Sequence, residues 1–345
     1  MMKVVIDRNI PYLKEALEAV GCSVVAMAGN DISRENIVDA DALFVRTRTR
    51  CDKALLTGTK VRFIGTATIG YDHIEAEYCK NNGIVWSSAP GCNAGAVLQY
   101  VQTVIYSRYE CVKGVSLGVI GVGEVGSRVA AWAEAVGMTV YRNDPPKAAV
   151  GMSGLVPIEE IAEKCDVITF HPTLEKGGEF PSFHLGNDRF FNMLKCKPLV
   201  INASRGAVVD GKALLGAIDK GLVSSVALDV WENEPEIDRG LLDKSWIATP
   251  HIAGYSLEGK YNATRIVLDA FAKAFGIEGG VPMPALPDVD NPILLADNER
   301  DAFLKIYSPL KDTADLKNSP SDFENLRNNY ALRRENSAYK IVLND

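Results

Sequence analysis

Residues 116–144, SLGVIGVGEVGSRVAAWAEAVGMTVYRND, decide how the rest of the chain is read. An apolar run short enough for a doubly covered strand, LGVI, leads directly into Gly121-Val122-Gly123-Glu124-Val125-Gly126, and then into a segment of helical spacing that ends at Gly137. Each glycine has a mechanical reason: the tight turn, the close approach of a pyrophosphate, and close helix-to-strand contact. The helix N-terminus, with Glu124 and Val125 in its first turn, offers unpaired N–H groups to phosphate. The next strand, MTVYRND, ends in Asp144, 18 residues after Gly126 and close to the position expected for a carboxylate on an adenosine ribose diol. A 2'-phosphate would be repelled there, so the expected cofactor is NAD and not NADP.

Outward from this stretch the same alternation continues. SLGVIG, MTVYRND, CDVITFH, KPLVINAS, SVALDV and WIATPH read as strands separated by helical segments. An earlier series, VVID, CSVVAMA, ALFVRT, VRFIGTATIG and IVWSSAPG, runs from Val4 to Gly91. Strand–helix alternation gives parallel sheets covered by helices, so the fold class is α/β, with two Rossmann-like or flavodoxin-like parallel-sheet domains in series. NAGAVLQYVQTVIYSRY, with Asn93 as N-cap, is expected to carry the chain from one domain into the other. SLEGKYNATRIVLDAFAKAFG, after His251, should bring it back, the two crossovers forming a hinge above a cleft. The Pro-rich linker GGVPMPALPDVDNP marks a further boundary. In the tail beyond it, FENLRNNYALRREN reads as a helix with Phe323, Leu326 and Tyr330 on one face, and YKIVL as a short strand. The expected division is 1–92 plus 255–280 as a substrate-binding domain, 93–254 as the NAD-binding domain, and 281–345 as a small C-terminal α+β domain. A tail of this length seldom supplies its own core, so it should dock on its own body or on a second subunit.

Composition narrows the function classes. The 345 residues are 47% hydrophobic, with 37 Lys+Arg against 44 Asp+Glu and a formal charge of -7, which argues against a sequence-independent grip on nucleic acid or anionic lipid. No apolar run reaches membrane-spanning length and no signal-peptide core precedes Asp7 and Arg8, so a cytoplasmic protein with no membrane partner is expected. Seven scattered cysteines without a CxxC pair, and only four histidines, argue against a disulfide framework or a metal site; the cysteines should be reduced and mostly buried.

Chemistry concentrates where strands end. Arg205 follows PLVINAS, Asp229 ends SVALDV with Glu234 five residues on, and His251 follows WIATP. Open α/β sheets bind ligands at the carboxyl ends of their strands. A dehydrogenase of a hydroxy acid needs a cation for the carboxylate and a base for the hydroxyl proton. Arginine presents a planar fork suited to the first, and imidazole titrates near working pH for the second. A carboxylate on the far ring nitrogen orients the imidazole and favours the imidazolium. Arg205, His251 and Glu234 fill these roles as catalytic residues. His73 and His184 read as structural or surface residues, and His171, at the end of VITFH, is the rival base without a nearby glutamate in sequence.

These motifs, GxGxxG, the SRG arginine, a glutamate before proline and PHIAG, occur in the order and spacing of the D-2-hydroxyacid dehydrogenases, which the chain resembles. DRNIPY, ADALFVRT, FIGTATIGYDHI, SAPGCNA, LDVWENEP, HIAGYSLEGK and FENLRNNYALRRENS are similar to the branch of that family that oxidises 4-phospho-D-erythronate in pyridoxine 5'-phosphate biosynthesis. The resemblance implies NAD-dependent hydride transfer from C2, a phosphorylated 2-hydroxy acid as substrate, and a homodimer formed through the C-terminal domain. It matches Asp144, Asp229 and Gly254 to cofactor contacts, and Thr47, Thr68 and Tyr255 to substrate contacts. Pro172 precedes Thr173, the reverse of the usual order in the family. For the substrate's phosphate, Arg46, Arg48 and Arg50 alternate and would share one face if their strand persists; Arg333 and Arg334 of the tail could instead reach a neighbouring subunit. The readings that compete are another family member, such as one acting on 3-phosphoglycerate, and an NAD-sensing corepressor on the same fold.

Overall fold

A computed structural model of the chain describes residues 1–344. It divides into two units, Met1–Asn93 with Ser256–Asp288, and Ala94–Tyr255 with the chain from Val289 onward.

The first unit is built on β1 (Lys3–Asp7), β2 (Ser23–Met27), β3 (Ala42–Val45), β4 (Phe63–Thr66) and β5 (Val85–Ser87), all parallel in the order β2-β1-β3-β4-β5. The central strands β3 and β4 are buried at every position, which is why they read as unbroken apolar runs instead of alternating ones. Helix Leu257–Phe275 starts where the Ser256 hydroxyl accepts from Gly259 N–H and stops at Gly276, φ 64°. Its Val267, Leu268 and Phe271 share one core with Val4, Ile6, Phe44 and Phe63, and the Phe271 ring lies 5.5 Å from that of Phe44. β3 ends at Val45, so Arg46, Arg48 and Arg50 do not share a strand face: they occupy the turn that follows, where Arg50 pairs with Asp52 at 3.2 Å.

The second unit carries β6 (Ser116–Ile120), β7 (Thr139–Asn143), β8 (Val167–Phe170), β9 (Leu199–Asn202), β10 (Ser225–Leu228) and β11 (Ile247–Ala248), parallel in the order β11-β10-β9-β8-β6-β7. Strand order reverses at β6, which has β7 on one side and β8 on the other, and a crevice opens at such a switch point. Helix Ala94–Arg108 is almost wholly buried, but Asn93 is not its cap: the Asn93 side-chain oxygen is buried without a hydrogen-bond partner among the described residues.

The tail packs into this unit. β12 (Ile293–Ala296) and β13 (Lys340–Leu343) form a two-stranded parallel sheet. Ala302, Phe303 and Tyr307 enter one core with Val101 and Val104, and Leu316 and Phe323 enter the other with Ala248 and Leu242. The helix expected over 323–336 stops at Asn328. The paired asparagines 328 and 329 hold the chain in a helix weakly, and beyond them Arg333 is drawn into the interior by carbonyl partners described below. Five cysteines are buried; Cys111 and Cys196 are exposed. No helix among the described residues is long and apolar enough to cross a membrane.

Candidate active site

The loops after β9, β10 and β11 lie side by side because those strands are hydrogen-bonded neighbours. The first is shaped by Asn202, whose side chain accepts from Ser204 N–H and donates to the Arg205 carbonyl. It presents Arg205 to solvent, one guanidinium nitrogen bonded to the Ser204 carbonyl at 2.8 Å. Gly206 lets this loop press on the second: a Cβ there would sit 1.9 Å from the Trp231 carbonyl oxygen. Trp231 is buried, its indole N–H donating to the Thr249 carbonyl and its backbone N–H to Glu234 Oε1. The other carboxylate oxygen, Oε2, is 2.7 Å from His251 Nδ1. A carboxylate can only accept, so Nδ1 carries the proton and the Nε2 lone pair is left as the basic site. Burial pushes the Glu234 carboxyl up, yet the hydrogen bond and charge of His251, the Trp231 N–H and Arg327 outweigh it and hold it below the usual range.

His251 itself has φ 58°, a left-handed conformation that costs a non-glycine residue free energy and persists only when surrounding contacts enforce it. Asp229 supplies the enforcement. Its carbonyl accepts from His251 N–H, and its carboxylate, 1% exposed, accepts from Thr249 Oγ1 at 2.7 Å, Ile252 N–H at 2.8 Å and Ala253 N–H at 2.9 Å. Burial raises the Asp229 carboxyl's pKa, opposed by the His251 charge and these hydrogen bonds. The sequence matched Asp229 to a cofactor contact; the structure gives its carboxylate a further occupation, anchoring the histidine loop.

At the switch point, a cavity of about 630 Å³ is lined by Gly121, Gly123, Asp144, Pro145, His171 and Thr173, among others. Its walls fit a dinucleotide. Gly126 is required by packing, since a Cβ would lie 1.9 Å from the Gly121 carbonyl oxygen, whereas a Cβ on Gly123 would meet nothing within 4 Å and its φ is an ordinary -78°. Neither packing nor conformation explains glycine at 123; room for a ligand at the mouth of the helix does. Asp144 caps the helix Pro145–Ala149 by accepting from Lys147 N–H and braces the glycine loop by accepting from Val122 N–H at 2.8 Å. Glu124 is exposed and pairs with Arg128 at 2.7 Å, so the first turn offers its backbone rather than this side chain. His171 bonds Thr169 Oγ1 through Nε2, while its Nδ1 is buried without a hydrogen-bond partner among the described residues. Burial drives its pKa down to about 3, which keeps the ring neutral and makes it a poor proton carrier near neutrality.

The remaining candidates fall in two places. Gly254 and Tyr255 continue the histidine loop. In the first unit, Thr68 Oγ1 bonds the Gly70 carbonyl and Thr66 Oγ1, which in turn meets His73 Nε2 at 2.9 Å; Thr47 is exposed just past β3; and an Arg46 guanidinium nitrogen lies 3.4 Å from the Asn9 carbonyl oxygen. His184 pairs with Glu232 at 2.7 Å, a tie between residues 48 apart with no trace in sequence. Nor did sequence reasoning single out Arg327 or Trp231. Arg333, expected to be available to a neighbour, is 9% exposed and bonded within its own chain.

A Gly-rich strand-to-helix turn at a switch point, with an imidazole–carboxylate pair on the loops after β10 and β11, three and four strands away, defines a pyridine-nucleotide-dependent dehydrogenase. Residues 99–253 match the D-isomer specific 2-hydroxyacid dehydrogenase NAD binding domain. Erythronate-4-phosphate dehydrogenase of Bacteroides thetaiotaomicron is 47% identical, covering 99% of each chain, and that of Yersinia pestis is 39% identical, covering 100% of this chain and 96% of its own. The NAD+-bound 3-phosphoglycerate dehydrogenase of Entamoeba histolytica superposes with a TM-score of 0.66 at 26% identity, over 80% of this chain and 96% of its own. The chain belongs to the D-2-hydroxyacid dehydrogenase family, and its full-length relatives place it in the erythronate-4-phosphate dehydrogenase branch.

Proposed function

We propose that the protein oxidises 4-phospho-D-erythronate at C2 to (R)-3-hydroxy-2-oxo-4-phosphooxybutanoate, the activity its full-length relatives are named for. The observation that carries this reading is the 2.7 Å His251–Glu234 contact on the rim of an NAD-binding sheet. Bound NAD+ supplies the hydride acceptor. Gly121, Gly123, Gly126 and the N–H groups of Glu124 and Val125 would hold its pyrophosphate, Asp144 its adenosine ribose, and Asp229 and Gly254 would supply further contacts to it. Arg205 grips the substrate carboxylate. His251 Nε2 accepts the C2 hydroxyl proton as the C2–H bond breaks, and Glu234 stabilises the imidazolium that forms. Thr47, Thr68, Tyr255 and Arg46 bind the rest of the substrate. In the reverse direction His251 returns the proton.

The functional unit is a homodimer in this reading. Leu294, Ala296 and Ile341 pack inward from the β12–β13 sheet, while Ile293, Leu295 and Val342 alternate to the outer face; Ile293 is 59% and Leu295 60% exposed. An apolar face of this kind needs a cover, and a second copy provides one.

The test is NADH formation from 4-phospho-D-erythronate. His251→Ala should lower kcat by about 10²-fold or more, the usual worth of a general base, with NAD affinity intact. Sustained turnover at near the normal rate would move the base elsewhere, and no turnover by the unaltered protein with this substrate would end the assignment. Leu295→Asp should shift the mass in light scattering from dimer to monomer.

A further inference from the structure

The C-terminal segment reaches the catalytic pair itself. Arg327, near the end of the helix Phe323–Asn328, places a guanidinium nitrogen 3.9 Å from Glu234 Oε2, the oxygen that meets His251, and its Nε donates to the Tyr255 hydroxyl at 3.2 Å. Six residues on, Arg333 is bound from all sides. It donates to the carbonyls of Ile252, Ala253 and Tyr255 in the histidine loop, to Ala96, and to Gln99 Oε1 at 2.8 Å, and it stacks 4.2 Å above the Tyr307 ring. Loop 251–255 is therefore held by Asp229 through its N–H groups and by Arg333 through its carbonyls. The anchored tail fixes where Arg327 stands.

We propose that Arg327 is a positioning residue for the Glu234–His251 pair: it holds the glutamate carboxylate and the Tyr255 hydroxyl in place. This role deepens the dehydrogenase reading and gives the tail a part in the site in addition to any part in assembly. The charged and titratable groups facing the pair within this unit are Arg327 from the tail, Asp229 from the end of β10, and, through Arg327, the Tyr255 hydroxyl. The Arg327 charge is one of the influences that hold the Glu234 carboxyl below its usual range against its burial. Glu234 supports the histidine only as a carboxylate, so a cation beside it keeps the pair competent at lower pH.

Without the Arg327 charge the Glu234 carboxyl protonates at higher pH, and the acid limb of kcat/KM for oxidation moves up. The guanidinium is partly exposed and screened by solvent, which makes the shift smaller than a buried charge would give. The experiment measures pH profiles of NADH formation for the full-length protein and its Arg327→Gln and Arg327→Lys variants, and follows the Glu234 carboxyl titration by NMR without substrate. Arg327→Gln should raise both the kinetic limb and the carboxyl titration, leaving the KM for NAD+ unchanged; Arg327→Lys should keep the unaltered protein's limb. In a Glu234→Gln background the Arg327→Gln shift should shrink by at least half. An equal loss of activity at every pH with no shift in either readout would make Arg327 a scaffold residue only and overturn the proposal, as would a lysine variant that behaves like glutamine. The NMR titration does not depend on turnover, so an error in the substrate assignment would show in the kinetics alone.

Discussion

Asp229→Asn separates two roles that the geometry could give this residue. The carboxylate accepts from Thr249 and Ile252 through one oxygen and from Ala253 through the other. An amide of the same shape keeps the first pair if its oxygen takes that place, and then points an NH2 group at the Ala253 N–H. One hydrogen bond to a charged acceptor is lost, worth about 1.5–3 kcal/mol, and a buried N–H is orphaned, costing about 1–3 kcal/mol. Relief from burying a charge offsets part of this, since burial raises the Asp229 pKa. A net loss of about 3 kcal/mol corresponds to a drop of roughly 6–12 °C in the melting temperature of a unit of this size. The same contacts enforce φ 58° at His251, so kcat should fall about 10- to 100-fold as the imidazole drifts, in the range expected when a catalytic group is misplaced by about 1 Å. The KM for NAD+ should change less than about threefold, because the redesign leaves the glycine loop untouched. Calorimetry and steady-state kinetics on one preparation decide the matter. An unchanged melting temperature with a tenfold higher KM for NAD+ would show that the carboxylate serves the nicotinamide and that the loop stands without it.

Gly123→Ala should leave stability within about 0.5 kcal/mol and weaken NAD binding at least tenfold by calorimetry, because its Cβ enters open space at the helix mouth; Gly126→Ala, whose Cβ meets the Gly121 carbonyl, should fail to fold normally. Arg205→Lys should lower kcat/KM about 10²-fold with little change in melting temperature, since a lysine cannot reproduce the fork and Arg205 is exposed. Asp312, half-buried where the Tyr307 hydroxyl donates to it, has its pKa pushed up to about 6 by desolvation, above its unfolded value. Its contribution is therefore fully present below about pH 4 and lost as pH rises through 6, by up to about 3 kcal/mol. Asp312→Asn should melt higher than the unaltered protein at pH 8, with the difference vanishing by pH 4; a constant difference would refute the shift.

The amino-acid order alone determined the two parallel sheets and the glycine turn, and it singled out Arg205, Glu234 and His251 at strand ends, of which the structure brings Glu234 and His251 into contact. Strands buried on both faces must be short apolar runs, and a tight strand-to-helix turn requires glycine at fixed positions, so both leave local traces. The reach of β3 did not: whether FVRTRTR continues as a strand depends on neighbours far along the chain, and the structure ends it at Val45. Likewise an asparagine before a helix looks like a cap until the packing leaves the Asn93 side-chain oxygen without a donor among the described residues. The tail shows the limit most clearly. Arg327 and Arg333 are ordinary cations in a polar stretch, and nothing within ten residues of either says that one will face Glu234 and the other fill a nest of carbonyls at residues 252–255. Their partners in the loops after β10 and β11 lie 72 to 93 positions away in sequence, Arg333's partners Ala96 and Gln99 lie 237 and 234 away, and only the packing of the tail onto the second unit brings these groups together. Hydrogen bonds between distant residues are selected by shape and burial, which the tertiary structure alone decides.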